Sequence, residues 1–258
     1  MHGIVFDTGQ VLEGYVRAFR ETGDARFLDA ANRAASWLVT VADPEGRWTR
    51  NTFLGTPHVY NTRTAWSLLR LDTLDAHPEY TRVARANLDW ALAQQGATGW
   101  FDRCAFRPGV APFTHTIAYA IEGLLGAGLL LDEARYLDAA RRGAAAVARH
   151  LRLDGFIPGR IDIAGHADVA YSCLTGNCQL AAIWGRLYER FGEERFRAAT
   201  VRALRYVMRH QEVDTVDLDV RGAIKGSQPV WGRYSPFAFP NWAAKFFIDA
   251  MLLSSGWF

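Results

Sequence analysis

The 258-residue sequence is poor in cysteine, with three, and three cysteines cannot all be paired. A disulfide framework is therefore not expected, and the count fits a reducing compartment. The Cys-x-x-Cys spacing of a structural zinc site is also missing. Cys173 and Cys178 stand apart on the sequence, and Cys104 and His166 lie elsewhere, so no metal site and no cofactor is expected. Lysine is nearly absent, with 2 against 27 arginines. The arginines are strung along the chain without forming a basic block, and the formal net charge is only +2, which gives no reason to expect a nucleic-acid partner. The start, Met1-His2-Gly3-Ile4-Val5-Phe6-Asp7, lacks a basic region followed by an apolar run, so no signal peptide is read. The apolar stretch near residues 121–131 reads as too short to cross a bilayer. Cytoplasmic location without membrane insertion is the expectation. Walker, Gly-x-Gly-x-x-Gly and Gly-x-Ser-x-Gly patterns are missing as well, which removes the common nucleotide-binding and serine-hydrolase readings.

What is present is a globular composition, half apolar and rich in aromatics, with nine Trp, nine Tyr and fifteen Phe. The length fits a single domain over residues 1–258. A repeat runs through it. Gly23-Asp24-Ala25-Arg26-Phe27-Leu28-Asp29-Ala30-Ala31 is echoed by Asp132-Glu133-Ala134-Arg135-Tyr136-Leu137-Asp138-Ala139-Ala140 and by Gly192-Glu193-Glu194-Arg195-Phe196-Arg197-Ala198-Ala199. A weaker copy begins at Pro78-Glu79-Tyr80. The landmark aromatics Phe27, Tyr80, Tyr136 and Phe196 recur at roughly 50 to 60 residues, which suits paired helices with long loops.

Each landmark opens a helix with apolar residues three and four apart, such as Leu28, Ala31, Ala35 and Leu38. Before each lies a second helix, expected over residues 11–20, 64–74, 117–130 and 179–190, with a last one over 241–253. These are apolar on more sides, as an inner ring requires. After each of the first three outer helices comes a glycine and then an aromatic: Gly46 and Trp48, Gly99 and Trp100, Gly155 and Phe156. These read as turns. Hairpins of this kind must stack or close to bury both faces. The long loops before the inner helices favour an all-α fold, an α/α toroid of about four and a half hairpins. That is short of six, so the ring is expected to be shortened or incomplete, with a homodimer as one way to complete the wall.

In such a fold the inner-helix starts and the loops before them converge on one mouth. Here they hold Asp7, then His58, Tyr60, Asn61 and Arg63, then His115 and Tyr119, then Asn177, and finally Asn241 and Trp242. Thr8, Thr62, Thr116 and Asn241 are expected to be helix N-caps. His58, Tyr60, Arg63 and His115 at equivalent points are not explained by capping. The segment from Trp231 to Trp242 carries five aromatics in twelve residues. It reads either as a plug or as a set of sugar-binding platforms, with Trp231, Tyr234, Trp242 and Trp100 as candidates.

The phrases Thr114-His115-Thr116-Ile117-Ala118-Tyr119 and Cys173-Leu174-Thr175-Gly176-Asn177 resemble those of α/α-toroid proteins of bacterial extracellular-polysaccharide clusters. More broadly the chain resembles toroid polysaccharide lyases, uronyl C5-epimerases and unsaturated-glucuronyl hydrolases. The resemblance implies an acidic poly- or oligosaccharide as partner. It also implies an Asn or Arg on the uronate carboxylate, with His and Tyr moving the proton. Asn61, Arg63 and Arg233 are candidates for the first role; His115, His58, Tyr60 and Tyr119 for the second. The Asn-Asn-His run of the alginate-lyase type is missing. Two alternatives stay open: glycoside hydrolysis by Asp7 and a second acid among Asp102, Asp162 and Asp168, and non-catalytic carbohydrate binding.

Overall fold

A computed structural model describes residues 3–258, and its regular structure is almost wholly helical. Among the described residues the α-helices are α1 (Val5–Thr22), α2 (Ala25–Val41), α3 (Thr62–Asp72), α4 (Pro78–Ala93), α5 (Thr114–Leu131), α6 (Ala134–Ala148), α7 (Leu174–Phe191), α8 (Glu194–Arg209) and α9 (Asn241–Leu253). Two short strands, β1 (Ser172–Cys173) and β2 (Ser227–Gln228), pair antiparallel with Ser172 opposite Gln228. In sequence the helices form four pairs and a ninth alone, the order that the repeat predicts. The chain divides into two compact units. The first comprises Met1–Ala97, Phe101–Gly109 and Tyr119–Ala140, and the second Thr98–Trp100, Val110–Ala118 and Arg141–Phe258.

In the first unit α1 packs on α2 and α3, and α3 packs on α4. The helix period puts Val5, Leu12 and Val16 of α1 and Ala31, Ala35 and Leu38 of α2 inside. Asp24 starts α2 by accepting the Arg26 N–H at 3.0 Å, and Pro78 opens α4, where its missing N–H costs nothing. The glycine-aromatic turn also has a physical reason. Gly46 has a φ of +73°, and a Cβ there would lie 2.5 Å from that of Ala86. Its carbonyl accepts the Asn87 amide at 2.9 Å, while the Trp48 indole N–H donates to Leu38 O at 2.9 Å. Trp48 thereby closes the end of its own hairpin.

In the second unit α7 packs on both α8 and α9 and is buried around most of its circumference. Trp184 donates to Ala144 O at 3.1 Å, and Thr200 of α8 donates to Ala181 O at 3.0 Å. The landmark Phe196 is fully buried. Gly192 ends α7 in the left-handed conformation, its N–H bonded to Tyr188 O. Gly155 repeats the role of Gly46: its φ is +92°, and a Cβ would lie 2.4 Å from Arg202 O.

Helix starts depart from the sequence expectation. The outer helices α2, α4, α6 and α8 begin at their landmarks, but among the inner helices only α9 begins where predicted; α1, α3, α5 and α7 begin earlier. Asp7, Thr8, His115 and Asn177 therefore lie within first turns instead of in the preceding loops. The expected threonine caps are also not realised. Ile4 precedes α1 and Pro240 precedes α9, neither making a side-chain cap bond. Thr62 donates to Ala120 O at 3.1 Å, and Thr116 to Phe113 O at 2.8 Å. These hydroxyls join neighbouring backbones or their own turn, because buried hydroxyls need acceptors as much as helix ends need caps. The Cys173 sulfur does act as a cap, accepting the Gly176 N–H at 3.4 Å.

Candidate functional site

Asp7, His58, Tyr60, Asn61, Arg63 and Tyr119 all belong to the first unit, and the helix starts draw most of them into one cluster. Tyr60 stacks on His58 with ring centroids 4.7 Å apart and planes 12° apart. Phe6 meets Tyr60 edge-on at 5.6 Å and Tyr119 at 4.8 Å, while Phe106 closes on Tyr60 at 5.7 Å. Arg63 lies over the Tyr119 ring at 5.5 Å. Its Nε donates to Gln10 Oε1 at 2.7 Å, and it forms an ion pair with Glu122. Close approach makes this possible: a Cβ on Gly123 would lie 2.3 Å from the carbonyl carbon of Thr62. α3 and α5 can therefore touch at the site.

The electrostatics follow from burial. His58 is pushed down chiefly by desolvation, opposed by hydrogen bonding to the backbone at Phe53 and Ala105. Its Nε2 lies 2.9 Å from Phe53 O, so this ring is held in place beneath Tyr60. The Tyr60 phenol is pushed up, first by burial and then by the charges of Cys104 and Asp7. The residue is 5% exposed, and its hydroxyl has no hydrogen-bond partner among the described residues. The Asn61 Oδ1 is likewise buried without a partner. Asp7 is exposed in the first turn of α1.

The second unit holds His115, Asn177, Trp100, Trp231, Arg233, Tyr234, Asn241 and Trp242. His115 is buried 4.8 Å from the ring of Tyr234, and desolvation pushes it down to about 3. Trp242 donates its indole N–H to the Tyr234 hydroxyl at 2.8 Å. Asn177 is occupied structurally: it accepts from Ser172 at 2.9 Å and donates to Gly155 O at 3.2 Å. Trp100 is 3% exposed and packs edge-on to His150 at 5.6 Å, and Asn241 is exposed at the head of α9.

The aromatic segment resolves into both of its readings. Tyr234 is buried with Tyr171 and Cys173, as a plug would be, whereas Trp231 is 67% and Phe237 74% exposed. Ser235 and Phe237 adopt left-handed φ values of 50° and 53°, a strain of about 1–3 kcal/mol each that functional loops often store. Trp231 and Arg233 border a cavity of about 510 Å³ with Arg160, Asp168 and Tyr171. Arg160 lies 3.9 Å over the ring of Phe113. Burial pushes the Tyr171 phenol up, and Arg160 and Arg233 oppose that shift. Two guanidiniums and an open indole on one cavity can hold a carboxylate beside a flat apolar ring.

Sequence reading missed Phe106, Glu122, Arg160 and Tyr171 as site neighbours. Glu122 had a signal, being the one ionisable acid inside the apolar helix α5. Arg160 and Tyr171 had none, since they lie in irregular loops. No group of three or more His, Cys, Asp or Glu among the described residues is placed to hold a metal.

No protein-family model matches the chain, and no curated protein matches it. Solved structures do. The unsaturated glucuronyl hydrolase responsible for glycosaminoglycan degradation in Bacillus sp. GL1 superposes with a TM-score of 0.78 at 17% identity, over 97% of this chain and 74% of that one. Cellobiose 2-epimerase from Bacillus thermoamylovorans B4167 gives 0.68 at 13% identity, over 95% and 70%. A polysaccharide lyase gives 0.64 at 15% identity, over 94% and 70%. At these identities the likeness is one of fold. The chain has the α/α-toroid fold of carbohydrate-active proteins.

Proposed function

We propose that the chain is a carbohydrate-active enzyme that abstracts a proton next to the carboxylate of a uronate-containing poly- or oligosaccharide, as a lyase or a C5-epimerase. The observation that carries this reading is the Tyr60 hydroxyl, nearly buried among aromatic rings and without a hydrogen-bond partner among the described residues. Removing the C5 proton builds negative charge on the carboxylate, and elimination sends an electron pair to the glycosidic oxygen. That oxygen needs a proton, and a phenol kept protonated by burial supplies one. In an epimerase the same phenol returns a proton to C5.

The other roles follow from what each group already holds. Arg63 is committed to Gln10 and Glu122, so it fixes the Tyr119 ring in place, and Asn61 is the amide beside Tyr60 for the carboxylate. His58, stacked on Tyr60 in the same unit, is pushed toward its neutral form by burial, the form that accepts a proton. An acidic sugar is supported by Arg160, Arg233 and Trp231 around one cavity. It is supported too by the fold shared with an unsaturated glucuronyl hydrolase and a polysaccharide lyase.

Hydrolysis is the second reading, favoured by Asp7, an exposed carboxylate whose charge reaches Tyr60. Hydrolysis needs a second available acid; Glu122 in this unit is paired with Arg63, which leaves Asp102, exposed in the same unit, for that part. Incubation with polygalacturonate and with glucuronate polymers separates the readings. A lyase generates ultraviolet-absorbing unsaturated ends, an epimerase exchanges C5 hydrogen for solvent deuterium without shortening the chain, and a hydrolase yields reducing ends alone. Binding without any of the three would leave a carbohydrate-binding protein.

A further inference from the structure

The arginines that look scattered along the sequence converge in space. α8 turns Phe196, Ala199, Ala203, Leu204 and Val207 inward. Arg202, Arg205 and Arg209 follow at three- and four-residue intervals, so they share one face of the helix. A cavity of about 420 Å³ opens along that face, bordered by these three, Arg197 and Trp257, with Asp154 and Glu194 as its acids. A second cavity of about 330 Å³ shares Arg202 and adds Arg149 and Arg195 without any acid.

Six guanidiniums thus border two neighbouring cavities that share Arg202, against two lining carboxylates. Several are only loosely engaged. Glu194 lies 3.8 Å from Arg197, Arg149 donates to Thr98 O at 3.3 Å, and Arg209 donates to the Asp154 carbonyl. Arg195 is paired with Glu193 at 2.5 Å. Arg202 and Arg205 have no ion-pair partner among the described residues. Crowded like charges repel unless an anion joins them.

We infer that this outer face of α8 is a binding surface for an acidic polysaccharide chain. Guanidinium forks pair with carboxylates in two-pronged fashion, and the Trp257 ring beside them lies edge-on to Tyr188 at 5.2 Å with Arg197 over it at 6.0 Å. The sixteen-residue helix is about 24 Å long, enough to engage several successive charged units. A single-stranded nucleic acid would call for a row of stacking aromatics, and these cavities have one aromatic at their border besides the buried Phe196. The choice of sugar rests on the function proposed above, while the basic surface stands without it.

Native gels of the full chain containing polygalacturonate, with neutral dextran as control, read this binding without turnover. Retardation is expected in polygalacturonate alone, fading as salt is raised. Arg202→Gln/Arg205→Gln should weaken it about fivefold in Kd, as two modest charge contacts would, and Arg205→Gln alone, at an exposed position, by less. Arg221→Gln, exposed and off both cavities, should bind like the parent. Unchanged retardation in the double variant overturns the inference. So does an equal loss in Arg221→Gln, or single-stranded DNA displacing the protein from the gel polymer at lower concentration than polygalacturonate oligomers. A protein that forms no product yet loses binding in the double variant refutes the proposed function and keeps the binding surface. A protein that turns over uronates while the double variant binds normally does the reverse.

Discussion

Burial acts on Tyr60 and His115 in opposite chemical senses: it keeps the phenol protonated and the imidazole unprotonated. Tyr60→Phe removes the donor oxygen and leaves the aromatic packing with Phe6, His58 and Phe106, so kcat should fall about 10²–10⁴-fold with the circular dichroism spectrum unchanged. Activity at the parent level in this variant would dismiss Tyr60. His115 adds a pH signature. Its folded pKa, about 3, lies below that of an unfolded histidine, so the unfolded chain binds the extra proton first. The stability contributed by its neutral form is complete above about pH 6.5 and drains away as pH falls toward 3. His58 is shifted in the same direction. Between pH 4.5 and 6.5 the melting temperature of the parent should fall more steeply than that of His115→Gln. Parallel slopes would mean that His115 is not desolvated as described.

At the scale of elements, the repeat was legible because helix period and turn glycines are local signals. Of the four landmark aromatics, Phe196, Tyr136 and Tyr80 are buried and Phe27 is half-buried. Gly155 and Gly192 show two grades of the same constraint. Gly192→Ala places a side chain at φ +69° in open space, and about 1–2 kcal/mol should be lost. Gly155→Ala adds a collision with Arg202 O, so its melting temperature should drop further than that of Gly192→Ala; equal drops would mean the turn does not press on α8. Helix starts were far less legible. α1 begins after Ile4 with no capping side chain, and α7 after a cysteine, so neither announces itself by a Ser, Thr, Asp or Asn. That hidden turn of helix placed Asp7 and Asn177 in the preceding loops. The candidate site was half legible: residue types near helix starts could be picked out. Asn177 and Trp100 show the limit, because only tertiary contacts reveal that one amide is saturated and one indole is enclosed.

On the scale of the whole molecule, charge and hydropathy along the sequence mislead until folding rearranges them. By length and composition α5 is apolar enough to cross a membrane, contrary to the shorter run read from residues 121–131, yet 78% of its window is buried inside the protein. Its one acid, Glu122, is paired with Arg63, and both facts fit a core helix. Arginines without a block in sequence border two neighbouring cavities along α8. The central claim, proton abstraction next to a uronate carboxylate, predicts a product that hydrolysis and binding cannot make. The direct measurement is incubation of the full chain with uronate polysaccharides in deuterated water, followed by absorbance and by mass and NMR spectra of the products. Unsaturated ends, or deuterium at C5 in unshortened chains, lost in Tyr60→Phe, are the predicted result. Saturated reducing ends alone, or bound and unaltered polymer, would contradict it.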